Sequence, residues 1–315
     1  MKKLLVLVSL TMCIPTLYAQ RSIDSSWAIE VGGIRQWISA KGKNVSNPIL
    51  LWINGGPGSA SVGQADKYTQ NLQDRFIIIQ WDQRETGKTK EMNKSPKPLS
   101  LNMFYDDTHD LIDSLLAHFQ KKKLYLAGYS WGTALGFYMA GKYPDLLYAY
   151  IAISPMINQT QSEWMTLRML RENARTKKQK QELGSVTIPF ITGEQLYYTR
   201  KWLAVYNGNE FAKLAFNKKY FLSWADIWLP VFNEACAINT SEILPEIKCP
   251  VYFFAGRSDY QTQHVITEQY FNEVVAPKKN LFWFEESGHT IPESEPELMQ
   301  ETIIDEILPE TLGHD

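Results

Sequence analysis

The pentapeptide Gly128-Tyr129-Ser130-Trp131-Gly132 constrains this chain more than any other feature. It follows the run Lys123-Leu124-Tyr125-Leu126-Ala127 and precedes Thr133-Ala134-Leu135-Gly136-Phe137-Tyr138-Met139-Ala140, so a serine stands on a sharp turn between a buried strand and a helix. Such a turn strains the backbone at its centre and brings strand and helix too close for side chains two places either side of the serine. Gly-x-Ser-x-Gly alone is a weak match, because Gly and Ser are ordinary loop residues. This match is the only one in the chain, and it sits between the right elements.

The flanking sequence places the turn in a larger pattern. From Ala28 to Ser39 the chain suits a strand pair turning at Gly32-Gly33. Ile49 to Ile53 and Phe76 to Trp81 are continuous apolar runs, as expected of strands covered on both faces in a parallel sheet, Tyr148 to Ile153 reads as another buried strand, and Pro250 to Ala255 and Leu281 to Phe284 read as further strands. Between Leu101 and Phe119, apolar residues recur at helical spacing. Helices are also predicted near Thr262 to Val275 and from Ser294 to Leu308.

From about Ile157 to Pro245 the alternation stops, giving way to charge-rich helical sequence with a heavy aromatic load. The prediction is an α/β fold, a mostly parallel sheet flanked by helices, formed by residues 20–156 and 246–315 and carrying a helical cap over residues 157–245.

Length and charge narrow the class. A chain of 315 residues with 44% hydrophobic and 21% charged residues fits one large globular domain or a domain with an insertion. Residues 1–19 read as a signal peptide: Met1-Lys2-Lys3, a short apolar stretch from Leu4 to Pro15, and a small-residue cleavage site ending at Ala19. The expected location is therefore periplasmic or secreted. Without Lys2 and Lys3, the 32 basic residues fall to 30 against 34 acidic, leaving a formal charge of −4 and no basic arm for nucleic acid. No stretch is long and apolar enough for a membrane span. Cys236 and Cys249 would remain after cleavage, and their spacing is compatible with a disulfide or with two free thiols. No cluster has metal-ligand spacing, so neither metal nor cofactor is expected.

A serine hydroxyl needs a base within hydrogen-bond reach, and that base needs an orienting carboxylate. Asp259, in Gly256-Arg257-Ser258-Asp259, lies just past one predicted strand, and His289, in Ser287-Gly288-His289, past the next. Both therefore fall on the rim that presents Ser130, at the carboxyl ends of the strands. The order Ser130, Asp259, His289 is that of the α/β-hydrolase fold. Acyl transfer also requires donors for the developing oxyanion. These would be the backbone N–H of Trp131, after the nucleophile, and that of Gly56 in the loop Asn54-Gly55-Gly56-Pro57-Gly58-Ser59.

Asn54-Gly55-Gly56-Pro57-Gly58, Trp81-Asp82-Gln83-Arg84, Gly128 to Thr133, Gly256 to Asp259 and Gly288-His289 together resemble the proline iminopeptidase family of serine peptidases over residues 28–156 and 248–308. That resemblance implies Ser130 as nucleophile, His289 as base, Asp259 as its orienter, and Gly56 and Trp131 as oxyanion donors. The chain departs from the family pattern in three places. Asn54 stands where the family has His, an arrangement similar to serine carboxypeptidases, in which that Asn helps hold a substrate carboxylate; Asn54 and Gly55 are thus candidate substrate contacts. Glu85 replaces the glycine that follows Asp-Gln-Arg, which predicts a differently shaped loop. Family members capture the substrate ammonium with cap glutamates, for which Glu194, Glu210 and Glu234 are candidates without a clear motif.

The expected activity is that of an aminopeptidase releasing an N-terminal residue, such as proline, from short peptides. The alternatives are a carboxylesterase or lactonase acting on small neutral esters and, in a different class, a catalytically silent binding protein. Epoxide hydrolase and dehalogenase chemistry is disfavoured, because those members of the fold use Asp at the position of Ser130.

Overall fold

The computed structural model describes residues 21–95, 97–208 and 217–311. The segment 1–19, on which the expectation of export rests, and Glu210 lie outside the described residues. Eight strands form one sheet: β1 (Ile23–Val31), β2 (Ile34–Gly42), β3 (Ile49–Ile53), β4 (Ile77–Asp82), β5 (Leu124–Tyr129), β6 (Leu147–Ile153), β7 (Val251–Gly256) and β8 (Lys279–Phe284), in the order β1-β2-β4-β3-β5-β6-β7-β8. β1 with β2 and β2 with β4 pair antiparallel, and all other neighbours are parallel. The hairpin at the sheet's edge turns through Gly32 and Gly33, at φ 56° and 74°, the doubly left-handed turn whose twist matches that of the strands it joins.

The apolar runs of β3 to β7 form the centre of this sheet because both faces are covered, whereas β8 lies at the edge and buries only Phe284. Every residue of β3, β4, β5 and β7 is buried. Alternation divides them between two cores: Ile49, Leu51 and Ile53 join Leu124 and Leu126 on one face, while Leu50 and Trp52 join Tyr125 and Ala127 on the other. The helices Leu101–Phe119, Trp131–Lys142 and His264–Glu273 contribute to the first core. The C-terminal helices cover the second, through Met299, Ile303, Ile307 and Leu308.

One predicted element is different. In place of a single helix over 294–308, the chain forms Ile291–Ser294, then Pro296–Glu301, a π-helical turn over Thr302–Ile307 and a last turn at Leu308–Thr311. Pro296 explains the break: it disfavours the helical conformation at Glu295 and begins a new helix in its own right.

Between β6 and β7 the chain is helical, through Gln159–Glu172, Lys177–Gly184, Gly193–Tyr206, Lys218–Cys236 and Thr240–Ile243. This block is fastened to the strand-end rim at the glycine loop. Trp224 Nε1 donates to the Pro57 carbonyl at 2.7 Å. A Cβ on Gly58, whose φ is 91°, would lie 2.5 Å from Trp228 Nε1, so the loop and the Trp228 indole can be this close only because Gly58 has no side chain. Cys236 and Cys249 are both buried free thiols, and desolvation pushes their pKa values up, that of Cys249 to about 12. Among the described residues, no helix is long and apolar enough to cross a membrane.

Candidate active site

β5 delivers Ser130 at φ 52° and ψ −116°, a conformation L-residues rarely adopt, and the helix Trp131–Lys142 begins at the next residue. Close approach of the backbone holds it there. Ser130 N–H donates to the Ile153 carbonyl at 2.9 Å, and the Ser130 carbonyl accepts from Thr133 N–H at 2.8 Å. The flanking glycines are required by contact as predicted: a Cβ on Gly132 would lie 2.3 Å from the Ile53 carbonyl oxygen, and one on Gly128 2.7 Å from that of Gly132. Both obstacles are backbone. Gly132→Ala is therefore expected to destabilise the fold by about 1–3 kcal/mol, the usual range for overpacking, read as a lower denaturant midpoint at unchanged slope.

The three residues predicted to act together meet. His289 Nε2 lies 2.9 Å from Ser130 Oγ, and His289 Nδ1 lies 3.0 Å from Asp259 Oδ2. Asp259 is 1% exposed yet well satisfied: Oδ1 accepts from the N–H groups of Gln261 and Thr262 at 2.9 Å each, and Oδ2 from the Thr262 hydroxyl at 2.7 Å. Burial alone would raise the Asp259 pKa. The adjacent His289 and the Thr262 backbone and hydroxyl donors outweigh burial, so the carboxyl sits below its usual value. The serine, imidazole and carboxylate thus form one hydrogen-bonded line with an ionised end.

Above Ser130, Gly56 has φ 133° and Trp131 is fully buried. As the first residue of its helix, Trp131 presents a backbone N–H with no intrahelical acceptor at a terminus that favours negative charge. Trp131 Nε1 donates to Gln83 Oε1 at 3.2 Å, and Asp82 Oδ1 accepts from Ser61 and Val62 N–H at 2.9 and 3.0 Å, which ties the Asp82-Gln83-Arg84 segment to both loops. Glu85 adopts φ 57°, the left-handed conformation that favours glycine, and its carboxylate accepts from Ser95 N–H at 3.2 Å. The substitution keeps a glycine-like bend and adds a side-chain clasp.

Two cavities meet at Ser130. One, of about 510 Å³, is lined by Asn54, Gly55, Lys67, Tyr68, Glu293 and His289 among others. The second, of about 360 Å³, lies against the cap and is walled by Met156, Leu196, Phe221, Trp224 and Phe232, with Ser59, Gln159, Arg200, Tyr220, Gln261 and Thr262 contributing polar groups. Gly56 and Ser130 border both cavities, while His289 borders only the first of the two.

Glu194 and Glu234 are elsewhere. Glu194 pairs with Lys218 and accepts from the Tyr198 hydroxyl at 2.8 Å, and Glu234 accepts the Leu101 N–H at 2.7 Å, capping the helix Leu101–Phe119. Neither lines a cavity at Ser130, because the packing of neighbouring helices supplies each with a different donor. The carboxylate that does line one is Glu293, four residues past His289. Thr262, three residues beyond Asp259 in a turn-capping pattern, and Ser154, whose hydroxyl donates to the His289 carbonyl at 2.9 Å, complete the support of the site. No group of three or more His, Cys, Asp or Glu among the described residues could hold a metal ion.

A profile of the alpha/beta hydrolase fold family matches residues 48–296. This chain belongs to the α/β-hydrolase fold family. The chain is 31% identical over 316 residues to the protein named probable aminopeptidase YbaC of Bacillus subtilis (strain 168), covering 90% of this chain and 96% of that protein. Among solved structures, the proline iminopeptidase of Mycobacterium smegmatis superposes with a TM-score of 0.63 at 18% identity, covering 92% of this chain and all of that one. A thermophilic esterase from Thermogutta terrifontis superposes with a TM-score of 0.60 at 17% identity, covering 91% of this chain and 99% of the other. The α/β-hydrolase fold members similar to this chain thus include both an aminopeptidase-named relative and an esterase.

Proposed function

We propose that this hydrolase is a serine aminopeptidase that removes one N-terminal residue, such as proline, from short peptides. The observation that carries the reading is the line from Ser130 Oγ through His289 to Asp259, at 2.9 and 3.0 Å, on a serine held at φ 52°. His289 takes the Ser130 proton as the hydroxyl attacks the scissile carbonyl, and its imidazolium is stabilised by ionised Asp259. The oxyanion is received by the Gly56 and Trp131 N–H groups. His289 then protonates the leaving amine, and water activated by the same imidazole releases the acyl group.

The general acid must reach the leaving nitrogen. Of the two cavities that Ser130 borders, the leaving portion of the substrate therefore belongs in the one that His289 also lines, beside Lys67 and Asn54, and the released residue in the smaller apolar cavity against the cap. That cavity suits one compact apolar side chain or ring.

The 31% identical relative named as an aminopeptidase supports amide over ester chemistry. The apolar wall of Leu196, Phe221, Trp224 and Phe232 favours a second reading, an esterase for small apolar acyl groups. Proline arylamide and a short-chain aryl ester, given to the purified protein side by side, separate the two: amide turnover is expected, and brisk ester turnover with no amide cleavage would remove the peptidase reading.

A further inference from the structure

A further cavity of about 310 Å³ adjoins the cap-side one without touching Ser130. Its walls are mostly apolar: Ala134, Phe137 and Tyr138 of the helix Trp131–Lys142, Ala235 at the end of the helix Lys218–Cys236, and Ile238 and Tyr105. Tyr105 and Tyr138 stack with ring centroids 3.8 Å apart, which gives the cavity one rigid side.

Two helices lead from the one cavity to the other. Ser130 borders the cap-side cavity and Ala134 the further one, four residues on, or about 6 Å along the helix axis. On the cap helix, Phe232 borders the first and Ala235 the second, about 4.5 Å further along. Met156, only 6% exposed, borders both, and among their described lining residues it is the one they share. Its backbone is tied to the turn that presents the nucleophile. Met156 N–H donates to Thr133 Oγ1 at 2.9 Å, and the Thr133 hydroxyl donates to the Ser130 carbonyl at 2.6 Å. With the backbone held at a set place relative to Ser130, the unbranched side chain is the variable part of the partition.

We infer that Met156 is the specificity-determining residue that limits the length of acyl group the enzyme accepts, and that the cavity beyond it is an apolar extension of the acyl site, reached when this side chain is shortened. The inference rests on the placement of the released residue in the cap-side cavity. The group that would use the extension is an unbranched alkyl chain. Each methylene moved from water into an apolar site favours binding about fourfold, so two methylenes seated past Met156 should bring about sixteenfold.

The test compares kcat/KM for arylamides of alanine, norleucine and α-aminooctanoic acid, and for aryl esters of acetic, butanoic and octanoic acid. Wild-type enzyme is expected to lose at least tenfold from the shortest to the longest acyl group of the series it hydrolyses. Met156→Ala is expected to raise the ratio of longest to shortest at least tenfold. Adding Ile238→Trp, which fills the further cavity, should return that ratio toward the wild-type value. Wild-type enzyme that takes the longest group as readily as the shortest would overturn the inference. So would a Met156→Ala ratio equal to that of wild type, the result a merely structural role predicts, or a gained preference that Ile238→Trp leaves untouched. If Met156→Ala does not fold, the smaller truncation Met156→Val carries the same comparison. Turnover of esters with no arylamide cleavage would reject the peptidase reading, while the ester series would still decide the role of Met156.

Discussion

Ser130→Ala is expected to lower kcat by roughly 10⁶-fold, about 8 kcal/mol of lost transition-state stabilisation, on whichever arylamide or ester the wild-type enzyme turns over best. KM should change little, because the glycine loop and both cavities remain. The substitution removes only Oγ and adds no volume, so the fold should survive and the loss can be read as chemistry. Labelling by a serine-directed phosphonate should vanish with it. A variant that kept more than about a hundredth of the activity would show that another nucleophile operates and that the Ser130–His289 contact is incidental.

Asp259→Asn should be the second most damaging change, costing about 10⁴-fold in kcat. The bonds around the carboxylate dictate why. Oδ1 already accepts two backbone N–H groups, from Gln261 and Thr262, so the new amide must place its oxygen there and turn its NH₂ toward His289 Nδ1. A donor at that position forces the imidazole to carry its own proton on Nε2, which then cannot take one from Ser130. The same bonds fix a pH dependence. The Asp259 pKa is depressed in the folded protein, so its ionised form stabilises the fold above the ordinary carboxylate value of about 3.9, and that stability is lost as pH falls through the lower folded-state value. Asp259→Asn should accordingly lose activity at every pH while flattening the acid limb of the unfolding curve. A variant with full activity and an unchanged acid limb would deny Asp259 both roles.

Much of this architecture is legible in the sequence for a physical reason. Strands covered on both faces must be apolar at nearly every position, so Ile49 to Ile53 and Val251 to Gly256 announce themselves without periodicity. Ser130 and Asp259 are equally visible because each follows such a strand, and His289 because it follows the shorter apolar run of the edge strand β8; strand ends in one sheet share a rim. The cap contacts are less legible. Whether Glu194 faces a substrate or Lys218 depends on how two helices pack, and no local pattern records that. Met156 carries no motif, since its importance lies in standing between two cavities whose other walls come from distant parts of the chain. The break at Pro296 was readable, but the apolar spacing of 294–308 outweighs it in a count of periodic positions, although proline punctuates helices regardless of hydrophobicity.

The hydrogen bond from Trp224 to the Pro57 carbonyl, with Trp228 against Gly58, makes the helical block part of the reaction centre's scaffolding. A chimera that exchanged this block for that of a related hydrolase would alter more than substrate choice, because Pro57, next to the Gly56 proposed above as an oxyanion donor, would lose its tether. Recruiting new substrates by swapping the block should therefore succeed only when the glycine loop travels with it, so that the two evolve as a single cassette.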